Sequence, residues 1–443
     1  MIIILSVTFF FFFFCLVATC DLQFEMDRER YGGRPLFHST FPCLWSGSRA
    51  THGVMKGNVY FEVKRTDNLP LSEGYSEFPL LRVGWSVARS GPQLGEDDLS
   101  FAYDSRGLKA TSSHFEAYGK SFGEHDVIGC YANLDGDSVE LSFSKNGEDL
   151  GQAFHFKKSS LGNHALLPHI LCKGCAFQVN FGQKLKPWHK SREGFCFLHD
   201  LKSEDLIRTP VPPRCEYDCE MLMMVGYPAS GKTTWVLKHI QENPDKNYIH
   251  LSVDRFIPQV KTVGLDKTED NNKVKDLHVK LATQCLNRAL EIASYRKANY
   301  IIDQCSVYKT SQFWKLQCFC QFKSKAVLLV TTEEEWKRRL EVRRKEGEVY
   351  PEAVLYHMIV HFWTPKIAKM PLDDIIFPEF NKKLASSLLY TLMDNTSRLL
   401  VKKSGKGPKI RFIRSRENIL ESLRPRSYVR PTPLIPPRRP HPE

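Results

Sequence analysis

The stretch "CEMLMMVGYPASGKTTW", Cys219 to Trp235, restricts the fold around it more than any other part of the chain. A run of apolar residues ends in Gly226. A G-x-x-x-x-G-K-[ST] spacing follows, with Gly226, Gly231, Lys232 and Thr233 in the fixed places. An apolar run of this kind reads as a strand buried on both faces, as in a parallel sheet. Residues 232–241 read as a helix. Strand, glycine loop and helix in that order are the context in which this spacing cradles phosphate. Gly226 and Gly231 let backbone N–H groups turn toward phosphate oxygens, and the helix N-terminus presents its dipole to the same anion. Tyr227, Pro228, Ala229, Ser230 and Thr234 complete the expected binding loop. Lys232 is placed to neutralise the β/γ-phosphates and the Thr233 hydroxyl to ligate Mg²⁺. The expected cofactors are therefore ATP or GTP with Mg²⁺. A loop that binds without turnover would carry the same residues.

The pattern continues as an α/β domain over 217–400. "NYIHLSV", "ANYIIDQ", "AVLLVTT" and "DDIIFPEF" read as further strands. Helical patterns lie between them, the longest from Glu269 to Arg296. Strands alternating with helices predict a doubly wound parallel sheet.

Residues 21–187 read differently. "VYFEVKR", "LLRVGWSV", "DVIGCYANL", "VELSFSKNG" and "CAFQVNFG" alternate with period two, and "LDGDS" and "KNGED" mark hairpin turns. An all-β sandwich is expected. "GNVYFEVKR", "RVGWSV", "SFAYDSRG", "DVIGCYANLD" and "LSFSKNGEDLGQAF", in that order, resemble a SPRY domain. The resemblance implies a protein-interaction module that binds its partner through surface loops. Trp45 and Trp85 are expected in the core. Residues 188–216, with "TPVPPR", read as the linker between domains.

The P-loop half resembles the polynucleotide-kinase branch of P-loop kinases, on "GYPASGKTTW", "NP" at Asn243-Pro244 and "SVDRF" at Ser252 to Phe256. That resemblance implies Asp254 as general base on a 5′-hydroxyl, with a helix N-cap as the plainer role. The branch's Arg three residues after this Asp is Ile257 here, and Arg255 follows directly. In "YIIDQCS", Asp303 stands where an acid holds the Mg²⁺ shell, while the usual Thr and Asn are Cys305 and Ser306. "WKRRLEVRRKEG" resembles the lid helix, whose Arg339 and Arg343 would clamp a transferring phosphoryl group. Acids at the start of that helix and bases at its end also suit its dipole.

A SPRY domain followed by such a P-loop domain resembles the heterogeneous nuclear ribonucleoprotein U family, over roughly Asp21 to Glu379. This implies a nuclear, RNA-associated protein in RNA processing. The family's SAP-type helix pair and Arg-Gly-Gly repeats are not in the sequence. Residues 401–443 instead form a basic, proline-rich tail with twelve Lys/Arg and three Asp/Glu, much of the chain's net +12. The tail is expected to be disordered and to contact RNA alongside the P-loop domain. It could equally dock on an SH3 or WW domain as a polyproline II ligand.

The first twenty residues, "MIIILSVTFFFFFFCLVATC", form an apolar segment. It resembles a signal peptide but lacks a basic flank. A secretory or membrane-anchored product is the alternative this segment raises, and a gene-model artefact is another. The thirteen cysteines are scattered. Cys130, Cys172, Cys175, Cys215, Cys219 and Cys285 are expected as structural thiols of a reducing compartment rather than a metal site. A membrane partner is not expected, and an active 5′-polynucleotide kinase is the competing enzymatic reading.

Overall fold

The computed structural model describes residues 20–404 apart from 43, 71–78, 185, 262–271 and 348–349. The apolar segment 1–19 and the tail from 405 onward lie outside the described residues.

The first half is built of two eight-stranded sheets. One runs through Phe24–Met26, Gly32–Pro35, Cys175–Asn180, Asn58–Asn68, Val127–Asn133, Ser138–Lys145 and Glu148–Lys157. The other runs through Leu206–Arg208, His52–Val54, Leu166–Lys173, Leu80–Val87, Ser100–Asp104, Leu108–Thr111 and His114–Ala117. Neighbours along both orders pair antiparallel. The hairpin between Lys145 and Glu148 turns on Asn146 and Gly147, both with positive φ (52° and 85°), as a two-residue turn matched to strand twist requires. The inward residues of the alternating strands meet in one core containing Phe61, Val83, Trp85, Ile128, Phe143, Ile170 and Phe177. Trp85 packs edge-on against Phe61 with centroids 4.9 Å apart. Trp45 is also fully buried and carries the Arg82 guanidinium 4.5 Å from its ring centroid.

The segment 188–216, read as a linker, contributes two short strands to these sheets. Cys196–Phe197 pairs in parallel with Asn58–Asn68, and Leu206–Arg208 pairs with His52–Val54. Phe197 stacks on Tyr60 at 4.2 Å. This part of the connector is thereby fastened along the sandwich.

The second half has a five-stranded, wholly parallel sheet. Its strands are β1 (Glu220–Val225), β2 (Ile249–Ser252), β3 (Tyr300–Asp303), β4 (Lys323–Leu328) and β5 (Asp374–Ile376), in the order β2-β3-β1-β4-β5. Its helices are α1 (Lys232–Glu242), α2 (Val253–Val260), α3 (Asn272–Ala293), α4 (Lys309–Cys318), α5 (Glu333–Lys345), α6 (Glu352–Val360) and α7 (Lys382–Ser404). Every residue of β1 is buried because both faces are covered. Met221, Met223 and Val225 join α3 in one core, while Leu222 and Met224 meet Val236 of α1 on the other side. The last helix, α7, was not anticipated. Its Ala385, Leu389, Leu392 and Thr396 recur at helical spacing and are buried.

The two halves share packing. Leu22, Phe37 and Leu44 belong to the hydrophobic core of the second domain. Around them the polar groups are paired. Trp45 N donates to the Gln259 carbonyl at 2.8 Å and Trp45 Nε1 to the Lys261 carbonyl at 3.1 Å. Gln23 Nε2 donates to Gln259 Oε1 at 2.6 Å. Arg296, just past α3, donates to the carbonyls of Cys20, Asp21 and Phe24 at 3.5, 2.9 and 3.2 Å. Arg296→Ala removes these three hydrogen bonds and is expected to cost about 1–2 kcal/mol. Differential scanning calorimetry of the full chain reads this as a lowered Tm, and an unchanged Tm would dismiss the bridge as a stabilising contact.

Candidate nucleotide-binding site

The phosphate loop spans the gap between β1 and α1. Two residues take left-handed backbone, Ala229 (φ 62°) and Gly231 (φ 96°). Gly231 is the N-cap of α1 and offers no capping side chain. The first-turn N–H groups of α1 therefore stay open to an outside acceptor. A Cβ on Gly231 would lie 2.8 Å from Arg339 Nη1, and one on Gly226 would lie 2.5 Å from Ser230 Oγ. Ser230 Oγ is itself buried without a hydrogen-bond partner. Open amides, an orphaned hydroxyl and a nearby lysine form a donor set that fits a nucleotide phosphate.

The loop is held from behind. Tyr227 is fully buried, and its hydroxyl donates to the Thr331 carbonyl at 3.2 Å and accepts from Thr331 N at 3.0 Å. Trp336 Nε1 of α5 donates to the Pro228 carbonyl at 3.0 Å. Tyr227 and Pro228 thus fix the loop to the end of β4 and to α5.

Lys232, Thr233 and Asp303 come together. Thr233 Oγ1 donates to Asp303 Oδ2 at 2.7 Å, and Lys232 Nζ donates to the Tyr227 carbonyl at 2.8 Å. His250 of β2, which sequence reasoning did not select, lies 3.1 Å from the same Asp303 oxygen through Nε2. An ionised carboxylate only accepts, so His250 Nε2 carries the proton of that bond. Burial alone would raise the Asp303 carboxyl. The hydrogen bonds from His250 and Thr233, with the charge of Lys232, outweigh it and hold the acid below its ordinary value. Asp303 is therefore an anion at neutral pH, the form that a Mg²⁺ shell requires.

Of the two lid arginines, Arg339 reaches the loop. Its Nη1 donates to the Ser230 carbonyl at 3.1 Å, its Nε to Glu335 at 2.7 Å, and its Nη2 lies 3.9 Å from Glu379. Arg343 instead contacts the Tyr350 hydroxyl at 3.4 Å. Asp254 is exposed in the first turn of α2. The N-cap role weighed for it belongs to Ser252, whose hydroxyl accepts from Arg255 N at 3.3 Å. Thr234 follows Thr233 in the first turn of α1 and is exposed.

Beyond Asp303 the chain is fastened from below. Lys315 of α4 is buried and donates to Ser306 Oγ at 2.8 Å. Burial pushes its ammonium down to about 7. Four of the six expected structural thiols donate within the fold, Cys172 to the Ser46 carbonyl, Cys175 to the Leu80 carbonyl, Cys215 to Asp218 and Cys219 to the Cys215 carbonyl. Cys130 and Cys285 are buried in the two cores. Among the described residues no helix is long and apolar enough to cross a membrane.

Comparison with known proteins agrees with this division. The SPRY domain family matches residues 58–184 and an AAA domain family matches residues 221–365. The chain is 48% identical over 383 residues to heterogeneous nuclear ribonucleoprotein U-like protein 2 of Homo sapiens, and 47% identical to that of Mus musculus. These alignments cover 86% of the chain and 51% of each relative, so the chain spans about half the length of the curated relatives it matches.

Two outcomes test the site's construction. Gly231→Ala forces a side chain into left-handed backbone and against Arg339, and is expected to cost about 1–2 kcal/mol and weaken nucleotide binding. Wild-type affinity by titration calorimetry would contradict this. For Lys315 the folded value lies below the unfolded 10.5. Between those limits the unfolded chain binds more protons, so stability rises with pH across that window. Lys315→Met should raise the Tm near pH 7 and flatten this slope, and parallel Tm–pH curves would refute it.

Proposed function

We propose that this chain, which shares the SPRY and P-loop core of the heterogeneous nuclear ribonucleoprotein U-like proteins, is a nuclear RNA-binding protein acting in RNA processing. The observation that carries the proposal is that one alignment runs through both domains at nearly half identity. The SPRY sandwich binds a protein partner through its loops. The P-loop domain holds ATP or GTP with Mg²⁺. The basic segment 401–443 supplies phosphate contacts to RNA.

In this reading the loop amides and Lys232 hold the phosphates, and Arg339 lies against the same loop. Thr233 and Asp303 hold the metal, with His250 keeping the carboxylate in place and ionised. The bound nucleotide would supply a transferable phosphoryl group. A ribonucleoprotein needs only its binding, which orders the loop and the start of α1. Lys232, with its ammonium on the Tyr227 carbonyl, is free to move to an incoming phosphate. The kinase reading draws on the same residues, with Asp254 added as base.

Lys232→Ala should abolish binding of a fluorescent ATP analogue. Asp303→Asn should lower its Mg²⁺-dependent affinity about tenfold or more, the loss of one charged contact. Full affinity in either variant would remove the assigned roles. RNA crosslinking in nuclei should be detectable for the full chain and weaker after deletion of Val401 to Glu443. Absence of RNA from the crosslinked material would sink the ribonucleoprotein reading. Transfer of γ-phosphate to a 5′-hydroxyl oligonucleotide would favour the kinase.

A further inference from the structure

The charges of the P-loop domain are unevenly placed. The chain has 62 Lys and Arg against 50 Asp and Glu, yet neither 304–332 nor 353–372 contains an acidic residue. These two segments meet in space. Trp363 N donates to the Val307 carbonyl at 2.7 Å. Gln312, fully buried in α4, donates through Nε2 to the carbonyls of Ser306 and Trp363 at 2.7 and 2.8 Å. The joint lies beside the phosphate loop, because Phe362 packs edge-on against Tyr227 with centroids 6.3 Å apart.

Its outer side is cationic and aromatic. Exposed Lys309 and Lys366 hold their ammonium groups 5.0 and 6.0 Å from the ring centroid of half-buried Trp363. Exposed Lys369 follows on the same loop. Phe313, one helical turn after Lys309, is 39% exposed. His361 is exposed and stacks on His357 at 4.2 Å, and His357 is hydrogen-bonded to Tyr308 at 2.9 Å. Trp363 Nε1 is buried with no hydrogen-bond partner.

We propose that this joint, formed by the start of α4 and the loop 361–369, is a binding site for single-stranded RNA. The proposal rests on the RNA-binding reading above and adds a second contact surface to the tail. Exposed lysines in segments without acidic residues attract a phosphate backbone, and clustered rings take unpaired bases by stacking. An acidic peptide would satisfy the lysines but leave the rings unused. A duplex would keep its bases paired and out of their reach. The strand would lie next to the nucleotide, so the two ligands can sense each other through Phe362 and Tyr227.

The test is fluorescence anisotropy of the full chain with a labelled single-stranded RNA of about 16 nucleotides, long enough for one such groove. Lys309→Gln with Lys366→Gln should weaken binding about tenfold and reduce the salt slope by about 1.4, the contribution of two phosphates on a single strand. Trp363→Leu should weaken it at least about fivefold, and Trp363→Phe should restore most of the loss. Both lysines are exposed, so the double variant should keep its Tm and its binding of the ATP analogue. If that variant binds RNA with wild-type affinity and slope, the joint is not an RNA site and the tail carries the binding. If the wild-type chain itself binds no RNA, the broader reading falls with it. Equal competition by duplex RNA or by polyglutamate would also overturn the single-strand assignment.

Discussion

The hydrogen bond from Thr233 to Asp303 depends on the whole parallel sheet. Thr233 stands at the start of α1, directly after the loop that leaves β1. Asp303 ends β3, the strand beside it. The two side chains meet at 2.7 Å only because β1 and β3 run in the same direction and finish at the same edge. β2 extends the same logic, for its register sets Ser252 opposite Asp303 and His250 opposite Ile301. The His250 imidazole then reaches back to the carboxylate. An apolar β1 covered on both faces is thus the condition for a charged cluster at its end. Replacing that burial with an amphipathic strand would remove one helical layer and, with it, the fixed distance between hydroxyl and acid.

The sandwich domain extends that control to α2. Gln259 near its end is held by Trp45 N and by Gln23, and Lys261 by the Trp45 indole. Trp45 is in turn fixed under Arg82, whose guanidinium is buried and paired with Glu96 at 2.8 Å. A helix that follows β2 at the nucleotide edge is therefore anchored at its far end to the neighbouring domain. The sandwich and the P-loop half are thus joined by side chains in direct contact.

The parts that were legible in the sequence are those fixed by short-range chemistry. Glycines at 226 and 231, a lysine and a threonine at set spacing could be recognised because the backbone conformations they permit are local. The Asn146-Gly147 turn was readable for the same reason. The strand Cys196–Phe197 was not, because two residues carry no periodicity and their pairing with Val59 and Tyr60 depends on a surface made elsewhere. His250 was missed because one histidine in a short strand has no pattern. Its role exists only once β2 lies beside β3. Arg339 and Arg343 were equivalent in sequence, four residues apart on one helix. The Trp336 bond to Pro228 sets how α5 meets the loop, and Arg339 is the arginine that then reaches Ser230. The helix α7 does carry apolar spacing at Ala385, Leu389 and Leu392, but it follows the last expected strand, and the surface that buries it is made in part by α6.

Charge placement links these layers. The nucleotide edge collects cations from the loop, from α5 and from the joint at Trp363. Asp303 beside the loop accepts from Thr233 and His250 on one oxygen, Oδ2. Glu379 near Arg339 is pushed above its ordinary carboxyl value by burial. A bound nucleotide would bring phosphate charge to the loop beside Lys232. The cations around Trp363 lie beyond the loop itself, and a second phosphate-bearing chain along the acid-free segments is the charge distribution that balances them.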